Sequence, residues 1–531
     1  MSESLTRQMK ITKQAVRGKA VVVAQNCRAA EVGAEILRRG GNAIDAAVAA
    51  AAVLAVVEPE STGIGGDGFM LYAPGGGSKV IAFNGSGHSP KAATTEWYLE
   101  RGFTEIPVYS PHAVTVPGLV DAWARITADH GTRGLDELLQ PAIRYAEEAF
   151  VVHDRVAFDW ARTAERLAKD PNAARILLPQ GRAPRAGERF RQPELAQTLR
   201  TVAAKGRDGF YHGPIAEEMV TYLNSLGGLH SLEDFAEISG AYVQPVHGRY
   251  RGVDVYQMPP NNQGLTALLM LHILSGFDFA GLAPFEADRL HLLIEAARLA
   301  YRDRNALIGD PDHVDVPVDV LLSMAYADKL RAKIDPARAM TKLPAPLLRP
   351  SDTIYLTVVD RDRNAVSFIN SVYHSFGSGL VTAKSGIWLQ NRGASFRLDP
   401  RHPNAIAPRK RPMHTIMPGM ALRDGRAMMP FGVMGGDYQP FGHVQLLTNM
   451  LDYGMDPQAA LDGPRVFPDQ GAIELEHGIA RKTATALRAK GHRCVMTEEP
   501  HGVGQAILID WQAGTLTAGS DPRKDGCALG Y

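Results

Sequence analysis

Cysteine is almost missing: Cys27, Cys494 and Cys527 are the three in 531 residues, and no Cys-x-x-Cys occurs. Thiols so few and so scattered exclude a disulfide framework and a cysteine zinc site. Net charge is missing too, since 57 Lys and Arg balance 57 Asp and Glu. No global field recommends nucleic acid, a membrane surface or a polyanion, so small-molecule partners are expected. The longest apolar run, Ala46 to Val57, falls well short of the ~20 residues of a spanning helix and reads as a buried one. Met1 to Lys19 carries Arg7, Lys10, Lys13, Arg17 and Lys19 with no apolar segment behind them. It does not read as a secretory signal, and a cytoplasmic location is expected. Gly-x-Ser-x-Gly, a P-loop and His-Glu-x-x-His are all absent, which removes the commonest rival catalytic templates. No repeat or low-complexity tract is present.

Much of what is there reads as scaffold. Lys19 to Gln25 is a continuous apolar strand, Arg28 to Arg39 an amphipathic helix stopped by Gly40-Gly41, and Asn42 caps a helix through Val57. Gly63-Ile64-Gly65-Gly66-Asp67-Gly68 satisfies Gly-x-Gly-x-x-Gly. It follows a helix and opens the strand Phe69 to Tyr72, the reverse of the dinucleotide context, so no nucleotide cofactor is expected. Asp310 to Asp315 lacks the glycine and distal Glu of a calcium loop and reads as a solvated turn. No metal is expected. Strands are placed at Lys79 to Phe83 and Gly248 to Met258, helices from Thr115 to about Leu226 and from Ala287 to Ala306. Ala149 to Arg207 offers no nameable chemistry.

The stretch carrying chemistry begins where a Pro-rich loop, Leu343 to Pro350, gives way to Ser351-Asp352-Thr353. Thr353 to Val359 has the β-branched, period-two pattern of a strand; Arg361 to Asn364 turns, and Ala365 to Tyr373 returns as a second strand. Were the Asp352–Thr353 bond cut, Thr353 would carry both a nucleophilic hydroxyl and an α-amine of pKa about 7.7–8.0 able to take its proton. By itself a Thr opening a strand is an ordinary strand residue.

Several separate motifs accompany it in order: Leu37 to Ala47, Gly63 to Leu71, Thr353 to Asp360, Phe376-Gly377-Ser378-Gly379, Gly435-Gly436, and Ser520-Asp521-Pro522-Arg523 with Gly530-Tyr531. Together they resemble the γ-glutamyltransferases, proenzymes of the N-terminal-nucleophile hydrolase superfamily. The resemblance implies an α+β, four-layer αββα sandwich formed jointly by two autoproteolytic fragments. These are a large subunit 1–352 and a small catalytic subunit 353–531, cut between Asp352 and Thr353. It also implies a heterodimer of the two fragments, with further dimerisation left open, a small-molecule amide as substrate and water or an amine as acceptor. Thr353 is then the nucleophile, Ser371 stands where a family Thr holds it, and Gly435 and Gly436 supply the oxyanion hole.

The substrate positions depart from the family pattern. Ser86 stands where an Arg would grip the glutamyl α-carboxylate, Tyr373 where an Asn contacts substrate, and Arg392 and Ser395 where a Gln and an Asp hold the amine and carboxylate. His414 and Thr415 replace two serines. A carboxylate anchor moved from the Ser86 position to Arg392 explains both changes; the alternative is a surface Arg392 in an ion pair. Two activities follow, γ-glutamyl transfer or hydrolysis on compounds such as glutathione, and hydrolysis of small carboxylate-bearing amides of the oxamate type or acylase action. A non-catalytic relative is the reading from another class. His374 is expected to pack rather than react, and Asp437 has no assigned part.

Overall fold

The computed structural model describes residues 13–341, 353–469 and 471–531. Most of the basic leader, the Pro-rich loop and the expected cleavage residue Asp352 lie outside these.

Two seven-stranded sheets form the centre. In chain order their strands are β1 (Val16–Gly18), β2 (Val21–Ala24), β3 (Asp67–Ala73), β4 (Ile81–Gly85), β5 (Ala241–Val243), β6 (Val246–Tyr250), β7 (Val253–Gln257), β8 (Ile354–Val359), β9 (Ala365–Ser371), β10 (Gly419–Arg423), β11 (Arg426–Met434), β12 (Val503–Asp510), β13 (Thr515–Ser520) and β14 (Cys527–Gly530). One sheet runs β14-β2-β8-β9-β3-β4-β5 and the other β1-β13-β12-β11-β10-β7-β6, antiparallel throughout.

Strand periodicity explains the layers. Leu356 and Val358 of β8, with Val22, Met70 and Phe368, face the helices α1 (Cys27–Arg38), α2 (Ala43–Val57) and α3 (Leu119–His130). Their neighbours Tyr355, Val21, Phe69 and Ile369 face the other sheet, meeting Met420, Ile507 and Leu516. That second sheet turns Val255, Ala421 and Phe431 toward α4 (Gly264–Leu274), α5 (Ala287–Leu307) and α6 (Gln439–Tyr453). The four layers expected from the resemblance are therefore present. Every residue of β8 is buried, because both faces of its sheet are covered. Likewise α2 is buried along its whole length; Asn42 and Asp45 close it with a reciprocal capping box.

Both sides of residue 352 contribute to each sheet, and β8 and β9 lie between β2 and β3. Three expectations shift. Gly248 to Met258 is the hairpin β6–β7, because Arg251 and Gly252 both take positive φ, 47° and 79°, and turn the chain. The Lys79 to Phe83 strand slides to Ile81–Gly85. Asp310 is buried rather than solvated, accepting the Arg411 backbone N–H at 2.7 Å.

Candidate active site

The β8–β9 register pairs Ile354 with Asn370, so Thr353 and Ser371 meet at one end of the hairpin. The Thr353 hydroxyl, fully buried, donates to Ser371 Oγ at 3.3 Å, and Ser371 Oγ also accepts the Tyr373 backbone N–H at 2.8 Å. The glycines of the Gly-x-Gly-x-x-Gly segment serve this strand end. A Cβ at Gly66 would sit 2.3 Å from the Ser371 carbonyl oxygen, and one at Gly65 would sit 2.2 Å from that of Trp388. Close backbone approach, not phosphate binding, requires them.

Arg392 opens the short 3₁₀ turn Arg392–Ser395 and is fully buried, which removes the surface alternative. Its Nη1 donates to Thr415 Oγ1 at 2.8 Å, and its guanidinium carbon stands 3.9 Å from the centroid of the Tyr373 ring. Nε and Nη2 have no hydrogen-bond partner, and among the described residues no carboxylate pairs with it. Burial lowers its pKa to about 10 despite Tyr373, Asp67 and Asp437. Tyr373 itself holds φ at 81°, which presents its backbone N–H to Ser371 and its ring to Arg392. Arg392 and Thr353 are thus linked through two residues, Tyr373 and Ser371.

Beside Arg392 lies a buried His–Asp pair. His414 Nε2 hydrogen-bonds Asp67 Oδ2 at 3.0 Å, while Asp67 Oδ1 accepts from the Gly87 and Gly118 backbones and from Gln390 Nε2, at 2.9, 3.0 and 2.9 Å. Burial, and then the Arg392 charge, push the His414 pKa down to about 3, so the imidazole is neutral and Nε2–H is the donor. Its Nδ1 has no partner. Two predicted binding residues are turned to backbone instead: Ser395 Oγ donates to Met413 O, and Ser86 Oγ donates to Gly87 O while accepting from Asn261.

The Gly435-Gly436 pair follows β11. Gly435 has φ 127° and Gly436 58°, conformations open to glycine, and Gly432 just upstream lies against the Tyr355 ring, where a Cβ would come within 2.4 Å. Gln263 Nε2 donates to both Gly436 O and Thr415 O, and Arg304 Nη1 reaches Gln263 Oε1 and Asp437 Oδ1. This answers what Asp437 does: it anchors the turn to α5. A cleft of about 750 Å³ opens here, lined by His374, Gly435 and Asp437 and also by Arg155, Arg162 and Arg166 from the stretch that suggested no chemistry. His374 therefore faces the cleft.

Sequence reasoning missed Asp67, Gln263, Gln390 and Arg304. Asp67 sat inside the quoted Gly-x-Gly-x-x-Gly segment, a usable signal; Arg304 is one arginine on a long helix and gave none. Elsewhere His291, Glu295 and His492 gather ligand atoms within 4.8 Å. The two imidazoles are hydrogen-bonded to each other and Glu295 is paired with Arg298, so protein contacts already use these groups. Among the described residues no helix is long and apolar enough to cross a membrane.

The chain is similar to known proteins along almost its whole length. The chain is 40% identical to the glutathione hydrolase-like YwrD proenzyme of Bacillus subtilis over 98% of its own length and 100% of that protein. It is 38% identical to the oxamate amidohydrolase proenzyme of Klebsiella pneumoniae, covering 96% of this chain and 98% of that one. Among solved structures, the cephalosporin acylase from Bacillus halodurans superposes with a TM-score of 0.93 at 39% identity, over 98% and 97% of the two chains. The family model described as Gamma-glutamyltranspeptidase matches residues 29–531, and the chain belongs to that family.

Proposed function

We propose that the chain is a self-cleaving Thr-nucleophile amidohydrolase whose acyl substrate is small and carries a carboxylate bound by Arg392. The observation that carries this is the buried guanidinium with two unpartnered nitrogens, linked to Thr353 through Tyr373 and Ser371. A buried cation without a counterion is costly, and an incoming carboxylate would supply both the charge and the missing acceptors.

The chemistry runs on groups already placed. Cleavage before Thr353 frees its α-amine, which takes the proton of its own hydroxyl as the hydroxyl attacks the amide carbon. The Gly435 and Gly436 backbone N–H groups stabilise the resulting oxyanion, and Ser371 fixes the hydroxyl. The amine then returns the proton to the leaving nitrogen, and water or an amine opens the acyl-Thr ester.

A γ-glutamyl donor is the second reading, favoured by the relative named glutathione hydrolase-like. Ser86 and Ser395, both turned to backbone, weigh against it, since neither replaces the charged contacts that a glutamyl group uses. Purified protein should give two fragments by intact mass, the smaller starting at Thr353, whereas Thr353→Ala should stay whole. An uncut but active wild type would end the mechanism. A panel comparing oxamate-like amides with γ-glutamyl anilide then decides the substrate: turnover confined to the anilide would overturn the Arg392 assignment.

A further inference from the structure

The cysteines that looked scattered in sequence are not scattered in space. Cys27 is the first residue of α1, and Cys527 the first of β14; β14 pairs with β2 so that Cys527 faces Ala24, three residues before Cys27. Cys27 Sγ donates to Asp525 O at 3.4 Å, two residues before Cys527, which puts its thiol beside the start of β14. Both cysteines are partly exposed, whereas Cys494 is buried. Lys13 Nζ donates to Asp521 O and Lys524 O at 2.8 and 3.2 Å and to Gly526 O, which holds an ammonium beside the pair.

We propose that Cys27 and Cys527 are a thiol–disulfide couple, oxidised by small-molecule disulfides to a bond that joins the two halves of the chain. Cys27 is the attacking sulfur. It sits at a helix N-terminus, and the neighbouring Cys527 thiol and then the Lys13 charge lower its pKa, which favours its thiolate. The thiolate attacks one sulfur of the disulfide RSSR, forming a mixed disulfide on Cys27 and expelling RS⁻. Cys527 then loses its proton and attacks the Cys27 sulfur, expelling the second RS⁻. Two protein thiols are oxidised by two electrons, and RSSR plus the two released protons become two RSH. Because Cys27 precedes residue 352 and Cys527 follows it, the bond links the fragments covalently, a consequence that rests on cleavage before Thr353.

The test uses the purified full chain and 2-hydroxyethyl disulfide, a probe without an amide. Wild type should lose two of its three titratable thiols and two hydrogens by intact mass. On a denaturing gel without reductant the processed protein should run as one full-length species that reductant separates. Cys527→Ser should trap the probe as a mixed disulfide on Cys27; Cys27→Ser should keep its thiols and run as two fragments; Cys494→Ser should behave as wild type. Thr353→Ala should still lose two thiols, which separates failure of this couple from failure of processing. Wild type that retains three thiols, or digest mapping that finds no Cys27–Cys527 peptide, overturns the proposal.

Discussion

Two buried arginines carry opposite charge balances. Arg523 donates to Glu476 through Nε at 2.9 Å and Nη2 at 2.5 Å, to Asp521 at 3.2 Å, and to the Leu461 and Gly463 carbonyls. Burial would lower its pKa, but Glu476 and then Asp521 outweigh that and raise it; Glu476, which burial would push up, is drawn by Arg523 to about 2. Arg392 is equally buried, has one side-chain acceptor and an aromatic face, and its pKa falls. Every donor of the first arginine is used by the fold, whereas the second leaves Nε and Nη2 without a partner. Burial alone does not distinguish structure from function; the state of the partners does.

The sharpest way to break the comparison is to remove each cation. Arg523→Met leaves Glu476 without its counterion and should cost about 3–5 kcal/mol of stability, read as a large fall in the unfolding midpoint. Arg392→Gln removes no carboxylate's partner and should keep or raise the midpoint. Its kcat/KM should instead drop ~10²-fold or more, as loss of a contact worth about 2–5 kcal/mol predicts. Self-cleavage should survive, since the reacting carbonyl there is that of Asp352. Equal thermal losses in the two variants, or unchanged turnover in Arg392→Gln, would make Arg392 a structural residue as well.

The contrast was half legible in the sequence. The Thr353 hairpin, the capped helix at Asn42 and the Gly435-Gly436 turn follow local rules of periodicity, capping and glycine conformation, and all three appear. That Arg392 could replace an anchor at the Ser86 position was an expectation from the substitution pattern. Its burial was not, because nothing local says that residues 392–395 pack beneath Thr415 and Tyr373. Nor could local pattern bring Asp67 to His414 or Cys27 to Cys527, which are contacts across hundreds of residues set by sheet order.

A gentler probe is occupancy. Oxalate or malonate, too simple to be hydrolysed here, should stabilise wild type by up to about 2.7 kcal/mol at a hundredfold excess over Kd. Arg392→Gln should show none of this shift, and a shift that persisted would place the anion elsewhere.

A further effect lies in the pH dependence, and it reports on Arg392 through its neighbour. His414 titrates near 6.5 in an unfolded chain and at about 3 in the fold, lowered first by burial and then by the Arg392 charge. Between those values the unfolded chain binds a proton that the folded protein refuses. Stability from this group is therefore complete above about pH 6.5 and declines as pH falls toward 3, by at most ~1.36 kcal/mol per unit. His414→Gln, which cannot titrate, should flatten the difference in unfolding midpoint between pH 6.5 and 4. Other buried histidines, such as His443 with a pKa also lowered to about 3, remain in both proteins and cancel in that comparison. A carboxylate on Arg392 offsets the cation that opposes protonation, so oxalate should raise the His414 pKa and soften the acid loss in wild type. Identical slopes in wild type and His414→Gln would mean that His414 is not held neutral by this site, and the electrostatic link to Arg392 would fall.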